Sequence, residues 1–536
     1  MPEKKERKEK LSIYLAKNHA GLDSALIKVD QADFPISLKL AEVKSALLYI
    51  KKTPAVHSPS WTRLFTSLPE IGDDAFGESS SVGAALILKL RENKFVITFG
   101  TGFHLLHDDA IERDFGLKVT LNSVDPEKLR SLDKSSYDHK PLNSRNQSIK
   151  EVDIFDLRID SEVEMLYAVT GASAVDVFGS HVTGRDALTV VTSSSMNELY
   201  KILDEAVFRY GMQLPEAFEW VDNVNRVRDS DYIEILDLEL DELLLSNSVS
   251  NLWLGEPEIV DWEHQVGYSF NMHARTERYS VLDINSLFDY LKLKSIVPSV
   301  EALKSIQVHV NDVNYQSSKV WAAYKCLYAE IKYGSNQYIM RNGMWYKVNS
   351  DFVKRIDAQL STLGTYEHVF PVYEHDREED YNFSLTSDAS FELLDKKNIR
   401  IGGAYDKLEF CDLIRNGNDL IHVKYYRSSG TLSHLFSQGC VSAEAFITDV
   451  NFRVKLNDKL PSSIKLARPD ARPNPGDYKI VYAIATSKKL PSELPFFSKV
   501  TLKNAMKVLQ GLNYSVEIVA IDVDPLLKVK KSYKAK

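Results

Sequence analysis

Residues 405–426, which read YDKLEFCDLIRNGNDLIHVKYY, decide the fold of the C-terminal third of this chain. Two apolar runs flank the cluster Asn-Gly-Asn-Asp at 416–419, and these residue types tolerate positive φ, so the pattern predicts a β-hairpin. Alternation along the second run places His422 and Lys424 on one face and apolar residues on the other. On the first run, Glu409 and Asp412 point to opposite faces. Either acid can meet the lysine, because a bulge or a one-residue register slip exchanges them.

The elements around the hairpin follow a recognisable order. An acid-rich segment at 374–382 is predicted to be helical, and a short strand at 391–394 ends on Asp395. After the hairpin come an apolar stripe beginning at Leu432, a strand at 478–486, a helix at 499–509 and a strand at 515–521. This αβββαβ order resembles the core of the PD-(D/E)xK nuclease superfamily. The resemblance implies acids on adjoining strands that hold a divalent metal, with a lysine that assists the attacking water.

The chain departs from the nuclease pattern at one position, where His422-Val423-Lys424 replaces acid, any residue, lysine. Glu409 or Asp412 must then supply the second carboxylate, or His422 must act as a ligand. Mg²⁺ prefers carboxylate and water oxygens and generates hydroxide for phosphodiester cleavage. The resemblance therefore implies a Mg²⁺ site. Its catalytic residues would be Asp412, Glu409 and Lys424, its metal ligands Asp412, Glu409 and Asp395, and its helpers Asp395, Glu379 and His422. A solvated hairpin face is the simpler explanation of the same charges.

A second resemblance spans nearly the whole chain. It is carried by FVITFGTGFHLL at 95–106, VTGRDAL at 182–188, FEWVDNVNRVRD at 218–229, IHVK at 421–424 and LSHLFSQG at 432–439. These motifs resemble a family labelled only "sporadically distributed", whose members are largely uncharacterised bacterial proteins often found near restriction or phage-defence genes. The resemblance implies a role in anti-phage defence, with a phage protein or a defence-system protein as partner.

Basic and polar residues near aromatic ones indicate where nucleic acid could bind, since stacking and phosphate contacts together hold single strands. Core aromatics beside surface charge explain the same pattern without a ligand. The predicted contacts to DNA or RNA are Arg226, Arg228, Lys396, Lys397, Arg427, Ser433, His434 and Gln438.

The composition limits the classes of protein to which this chain can belong. The chain has 536 residues and a formal net charge of −9, which argues against a surface that coats polyanions but allows a local basic groove. Three cysteines without a CxxC motif support neither a disulfide framework nor a structural zinc site. No apolar run approaches the ~20 residues of a membrane span, and the charged start is not a signal peptide. These features predict a cytoplasmic protein, and they leave open a homo-oligomer.

The predicted fold is multi-domain α/β (α+β) with mixed sheets. The domains are an N-terminal α/β domain at 1–146, a helix-rich continuation at 147–255, a connector with an antiparallel meander at 256–370, and the nuclease-like domain at 371–536. Residues 125–146 are predicted to form a polar surface loop or a domain boundary. Residues 161–169 and 351–360 are each predicted to form a helix.

Three functions compete on this sequence. The first is a metal-dependent nuclease of anti-phage defence. The second is an inactive nuclease-like module that binds nucleic acid or a phage protein and works with a partner, which the histidine at the acid position favours. The third is a nucleotidyl or ADP-ribosyl transferase built from the N-terminal half, which only TFGTG at 98–102 and VTGRD at 182–186 support. The first of these motifs lacks the remaining residues of a phosphate-binding loop.

Overall fold

The computed structural model describes residues 8–17, 23–52, 62, 64–65, 80–107, 110–136, 142–157, 159–161, 164–192, 195–246, 251–257, 265–271, 278–312, 316–400, 407–426 and 429–527. The chain forms two compact units. The N-terminal unit consists of Met1–Ser135 and Asn143–Val221, and the C-terminal unit of Ser136–Leu142 and Asp222–Lys536. The predicted multi-domain α+β class with mixed sheets is confirmed, and the finer division into four domains stays a prediction.

A single large sheet organises the described part of the N-terminal unit. Its order is β2-β3-β4-β5-β1-β10-β9-β8-β6-β7. The strands are β1 Glu9–Leu15, β2 Ile36–Ser37, β3 Ser45–Ile50, β4 Gly83–Leu90, β5 Asn93–Gly100, β6 Val124–Ser136, β7 Asn143–Val152, β8 Glu164–Ser173, β9 His181–Gly184 and β10 Leu188–Thr192; the helices are α1 Asp23–Leu26, α2 Phe115–Leu121 and α3 Leu199–Tyr210. Buried residues at helical spacing, such as Leu199, Leu203 and Ala206, anchor α3 to the core beneath the sheet.

Two predictions for the N-terminal unit are wrong. The predicted helix at 161–169 lies largely in strand β8, and most of the predicted loop at 125–146 lies in strands β6 and β7. The polar residues of β6 misled the prediction because they are satisfied within the sheet. Asp133 lies opposite Arg145 in the β6–β7 register and binds it, while Leu129 and Leu132 on the same strand are buried in the core.

The first half of the C-terminal unit contains the predicted antiparallel meander. One sheet has the order β11-β18-β17-β16-β12 and is called here the meander sheet; another has the order β13-β14-β15. The strands are β11 Val224–Arg226, β12 Leu252–Leu254, β13 Gln265–Phe270, β14 Gln307–Asp312, β15 Ser317–Ala322, β16 Leu327–Tyr333, β17 Asn336–Arg341 and β18 Met344–Val348; the helices are α4 Ser230–Leu245, α5 Ile284–Leu293, α6 Val300–Ser305, α7 Ala323–Cys326 and α8 Ser350–Leu360. The turn at Asn342 and Gly343 has positive φ at both residues, 51° and 67°.

The second half of the C-terminal unit contains the sheet that carries the candidate site. This C-terminal sheet has the order β19-β26-β25-β24-β23-β20. Its strands are β19 Gly364–Thr365, β20 Phe391–Leu393, β23 Leu413–Arg415, β24 Asp419–Tyr425, β25 Lys479–Ala485 and β26 Ser515–Ile521; a separate ribbon consists of β21 Ile399–Arg400 and β22 Lys407–Leu408, and the helices are α9 Glu378–Leu385, α10 Ser429–Thr448, α11 Val450–Lys459 and α12 Phe496–Gly511.

The predicted hairpin is the antiparallel pair β23–β24. Its turn has positive φ at Asn416 (53°) and Gly417 (82°), and Arg415 pairs with Asp419 across it. Strand β20 is antiparallel to β23, whereas β25 is parallel to both β24 and β26. A parallel strand needs a crossover, and α10 with α11 supplies the one between β24 and β25.

Helix α10 lies close against the sheet because of one glycine. A Cβ atom at Gly439 would lie 2.5 Å from the Tyr482 hydroxyl oxygen on β25. That hydroxyl donates to the carbonyl oxygen of Phe436, one helical turn earlier, at 3.1 Å. Strand β25 is buried along nearly its whole length, as expected for a central parallel strand.

Within the described residues, we find no helix that has both the length and the apolar character needed to cross a bilayer.

Candidate metal centre

Three carboxylates meet at the edge of the C-terminal sheet. Asp395 lies just after β20, Glu409 directly follows β22, and Asp412 directly precedes β23. One oxygen from each side chain lies within 4.8 Å of the other two. The backbone brings the acids together, because the amides of Leu394 and Asp395 both donate to the carbonyl oxygen of Asp412 at 2.9 Å. The two acids that the sequence left as alternatives, Glu409 and Asp412, therefore lie together in this acid cluster.

Each carboxylate of the acid cluster is oriented by neutral donors. The Val423 amide donates to Asp412 Oδ2 at 2.7 Å. Gln438 Nε2 on α10 donates to Glu409 Oε2 at 3.0 Å, and the Lys396 amide donates to Glu409 Oε1.

Asp395 is held from the opposite side of the sheet. Asn382 Nδ2 on α9 donates to Asp395 Oδ2 at 3.1 Å. In the described residues, Asp395, Glu409 and Asp412 form no ion pair with a lysine, arginine or histidine. The acids are thus fixed in place without a paired basic side chain among the described residues.

The electrostatics reflect this lack of compensation. Burial, followed by the charges of Glu409 and Asp395, raises the pKa of Asp412 well above its usual range. Burial is also the main reason why the pKa of Glu409 is raised, and the Asp395 charge adds to it. The Lys424 charge lowers both pKa values, but it is the smallest of these effects. A bound cation would relieve the repulsion between the carboxylates.

Lys424 is held beside the acid cluster by an acid that the sequence prediction did not single out. Its Nζ atom donates to Glu378 Oε2 at 2.6 Å, and the other Glu378 oxygen accepts from the Tyr425 amide at 3.3 Å. Glu378 is the first residue of α9. Acids are favoured in the first turn of any helix, so the acidic run at 376–380 gave no reason to select this one.

The two predicted helpers Glu379 and His422 lie outside the acid cluster. Glu379 forms an exposed ion pair with Lys396. His422 is fully buried against the Tyr482 ring, with ring centroids 6.0 Å apart, and neither of its ring nitrogens has a hydrogen-bond partner. Burial lowers its pKa to about 4, so the imidazole is neutral near pH 7. Glu409 and Asp395, not His422, supply the carboxylates that accompany Asp412.

The predicted nucleic-acid contacts divide into three groups. Lys396, Lys397 and Gln438 lie next to the acid cluster, and Ser433 and His434 lie on the same helix as Gln438. Arg226 ends β11 in the meander sheet and Arg228 follows it, so neither is on the C-terminal sheet. Arg427 lies outside the described residues.

The donor set fits a hard divalent cation. Asp395, Glu409 and Asp412 offer carboxylate oxygens, which Mg²⁺, Mn²⁺ and Ca²⁺ prefer. The side-chain oxygen of Asn382 adds a further observation, because it is buried without a hydrogen-bond partner. Cys411, between Glu409 and Asp412, is a poor ligand, since burial raises the pKa of its thiol and metals bind thiolates. All three cysteines are free.

Comparison with known proteins places the chain in a family without assigning an activity. The model of a family of unknown function, DUF6119, matches residues 11–522. The chain belongs to this family. The predicted membership of an uncharacterised family is thus confirmed. No curated protein and no solved structure matches the chain.

Proposed function

We propose that this DUF6119 protein is a metal-dependent nuclease whose active centre is the acid cluster of Asp395, Glu409 and Asp412. The observation that carries the proposal is the approach of three uncompensated carboxylates to within 4.8 Å of one another, beside a lysine whose ammonium group is held by Glu378. A purely structural cluster would be expected to include a cation, because uncompensated buried acids destabilise the folded state.

Asp395, Glu409 and Asp412 would hold the cation. When bound, it would supply a water of lowered pKa and would stabilise the charge that develops on the phosphate. Gln438 and the Val423 amide fix two of the carboxylates, so the ligands would need little reorganisation on binding. Lys424 would place a positive charge next to the attacking water or the phosphate oxygen, and Glu378 would keep this ammonium group in position.

The order of elements supports this proposal. Apart from the inserted ribbon β21–β22, helix α9, the antiparallel strands β20, β23 and β24, a helical crossover and the parallel strand β25 follow one another, which is the order that the resemblance to PD-(D/E)xK nucleases implies. The acids lie at the ends of neighbouring strands, where the resemblance places them. On the resemblance to proteins encoded near phage-defence genes, we assign the cleavage to anti-phage defence in the cytoplasm.

A second candidate is a nuclease-like module that binds nucleic acid, or a phage protein, without cutting. The buried, neutral His422 favours it, because this residue replaces the usual acid two positions before the lysine. In that case the acid cluster, through a cation, and Lys424 would bind a phosphate. A partner protein would then respond to the bound state of this protein.

Cleavage assays separate the two candidates. The purified full chain is incubated with duplex DNA, single-stranded DNA and RNA, in Mg²⁺, Mn²⁺ or EDTA. We expect metal-dependent cleavage of at least one substrate. Asp412→Asn should reduce the rate by about 10²- to 10³-fold through loss of a cation ligand, and Lys424→Ala by at least about 10²-fold.

Matched controls remove one negative and one positive charge from helices elsewhere in the C-terminal unit. Glu444→Gln on α10 and Lys507→Ala on α12 alter exposed residues and should leave the rate unchanged. If the wild-type chain cuts none of the three substrates with either metal, the nuclease proposal fails. Binding without cleavage would then support the second candidate.

A further inference from the structure

Two of the three ligands in the acid cluster bracket a small antiparallel ribbon. Residues 396–408 connect Asp395 to Glu409, and their described part pairs β21 with β22. Ile399 lies opposite Leu408 and Arg400 opposite Lys407. Ile399 is fully buried, so the ribbon is anchored by its apolar side.

The base of the ribbon is tied to the acid cluster itself. The Lys396 amide, at the start of the ribbon, donates to the Glu409 carboxylate at its end. The Asp395 amide, just before the ribbon, donates to the carbonyl oxygen of Asp412. A change in the separation of Asp395 and Glu409 would therefore move the base of the ribbon, because the Lys396 amide is bonded to Glu409 and Glu409 directly follows β22.

The basic residues Lys397 and Arg400 lie in the first half of the segment 396–408. Arg400 is exposed and Lys397 is half-buried, and neither forms an ion pair with an acid in the described residues. Helix α11 adds two exposed lysines beside it. Lys455 Nζ donates to the Arg400 carbonyl oxygen at 2.6 Å, and Lys459 follows one helical turn later. In a chain of net charge −9, such a group of cations creates a local field that attracts polyanions.

We propose that the ribbon is a phosphodiester-binding arm, and that its hold on nucleic acid is coupled to the cation in the acid cluster. This inference rests on the proposed metal site. Lys397 and Arg400 would contact backbone phosphates. The cation would hold Asp395 and Glu409 at a fixed separation and so fix the base of the arm. Because coupling between two ligands is reciprocal, nucleic acid would strengthen cation binding by the same factor.

The test measures binding without cleavage. Fluorescence anisotropy of labelled duplex DNA, single-stranded DNA and RNA is recorded with the full chain across a salt series, in Ca²⁺ or in EDTA. We expect the wild-type chain to bind at least one of these nucleic acids about 10-fold more tightly in Ca²⁺ than in EDTA, within the usual range of coupling between two sites. The substrate that binds most tightly identifies the source of the phosphodiester.

Two variants separate the arm from the cation site. The double variant Lys397→Ala/Arg400→Ala should weaken binding at least about 10-fold. It should also lower the slope of log Kd against log salt concentration by about 1.8 on duplex DNA or about 1.4 on a single strand, as two lost phosphate contacts require. Asp412→Asn should lose the gain in affinity from Ca²⁺, because it removes a cation ligand.

The control double variant Lys332→Ala/Lys347→Ala removes two exposed charges from the meander sheet and should bind like the wild type. Wild-type affinity and slope in the ribbon variant, or equal binding in Ca²⁺ and EDTA, would overturn the proposal. So would the absence of binding to all three nucleic acids. Failure of the nuclease proposal gives a different result, since Ca²⁺-coupled binding would persist without cleavage in Mg²⁺ or Mn²⁺.

Discussion

The negative charges of acids in the N-terminal sheet are paired with basic side chains, whereas those of the acid cluster at the C-terminal sheet are not. On β6, Asp133 binds Arg145 through Nε at 2.7 Å and also binds Arg185. Its neighbour Lys134 binds Glu164 at 2.8 Å. At the edge of the C-terminal sheet, three acids lie within 4.8 Å of one another, and their described partners are backbone amides and side-chain amides.

This difference indicates which of the two groups of acids is available to bind a ligand. Arginines already satisfy the lone pairs and the charge of Asp133, so the cluster stabilises the sheet and has no need of an ion. Amide donors orient the acid cluster of the C-terminal sheet but leave its charge in place. A folded protein tolerates such repulsion where an external cation or a proton removes it.

The largest expected effect is on the pH dependence of stability and comes from Glu330 on β16. This buried acid is of a third kind, beside Asp133 and the acid cluster. It accepts from the amides of Phe496 and Phe497, at 2.8 and 3.3 Å, at the start of α12. Burial is the main cause that raises its pKa to about 7, against lowering by these amides and by Lys488 and Lys499. The folded protein therefore keeps a proton that the unfolded chain releases near pH 4.5.

The sign of the pH dependence follows from this proton. Between about pH 4.5 and pH 7, unfolding releases a proton, so stability falls as pH rises and levels off above about pH 7. Glu330→Gln cannot titrate and should remove a fall of up to about 2–3 kcal/mol across this window. Urea denaturation of the wild type and the variant at a series of pH values measures it. Glu301→Gln, at an exposed position on α6, is the control, and parallel curves for Glu330→Gln and wild type would contradict the expectation.

The variant Glu378→Gln tests the comparison between the acids of the two sheets more directly. In the native arrangement Lys424 binds Glu378 and leaves the acid cluster uncompensated. Without that partner, the ammonium group is free to turn towards Glu409 and Asp412, whose pKa values its charge already lowers. The acid cluster would then resemble Asp133 with its arginines. We expect cleavage to fall about 10- to 100-fold, since the lysine leaves its position and competes with the cation.

The Mg²⁺ dependence of cleavage checks this expectation. The variant should need a higher Mg²⁺ concentration for half-maximal rate, and excess Mg²⁺ should restore part of the loss. Glu379→Gln, one residue along the same helix, removes an exposed partner of Lys396 instead and should leave the Mg²⁺ concentration for half-maximal cleavage unchanged. Equal effects of the two variants would mean that Glu378 contributes charge alone.

The parts of the fold that local chemistry dictates were predictable from the sequence. Asn416-Gly417 and Asn342-Gly343 demand positive φ, and both turns are present. The apolar run at 478–486 indicated a strand, and β25 is found there. Strands β6 and β8 were missed. In β6, polar residues such as Asp133 resemble a surface loop but are paired within the sheet, with Arg145 on the next strand and with Arg185, 52 residues along the chain.

The sequence was enough to predict which residues form the candidate site, but not which residues hold them in place. Asp395, Glu409, Asp412 and Lys424 were singled out because they lie at the ends of predicted strands, and the fold brings the three acids together. The contacts of Glu378 with Lys424 and of Gln438 with Glu409 depend on how α9 and α10 pack on the two faces of the sheet. Helix packing depends on the whole core, so no spacing rule could reveal those contacts.

The smallest expected effect is on stability: two Asp→Asn variants should change the free energy of unfolding in opposite directions. Asp412→Asn keeps an oxygen for the Val423 amide and removes charge repulsion from the acid cluster. In EDTA it should raise the free energy of unfolding by up to about 1 kcal/mol. Asp133→Asn leaves Arg145 and Arg185 without their carboxylate. Because both arginines are about half exposed, the loss should be about 1 kcal/mol.

The same two variants should differ again when Mg²⁺ is added. A ligand that binds only the folded state stabilises it, so Mg²⁺ should raise the unfolding midpoint of the wild type and of Asp133→Asn. It should leave Asp412→Asn unchanged, because that variant has lost a carboxylate ligand. Destabilisation by both substitutions in EDTA would show that the charge of Asp412 is compensated in the folded protein. The acid cluster would then be a structural feature of the same kind as Asp133 and its arginines, and the contrast between the two sheets would disappear.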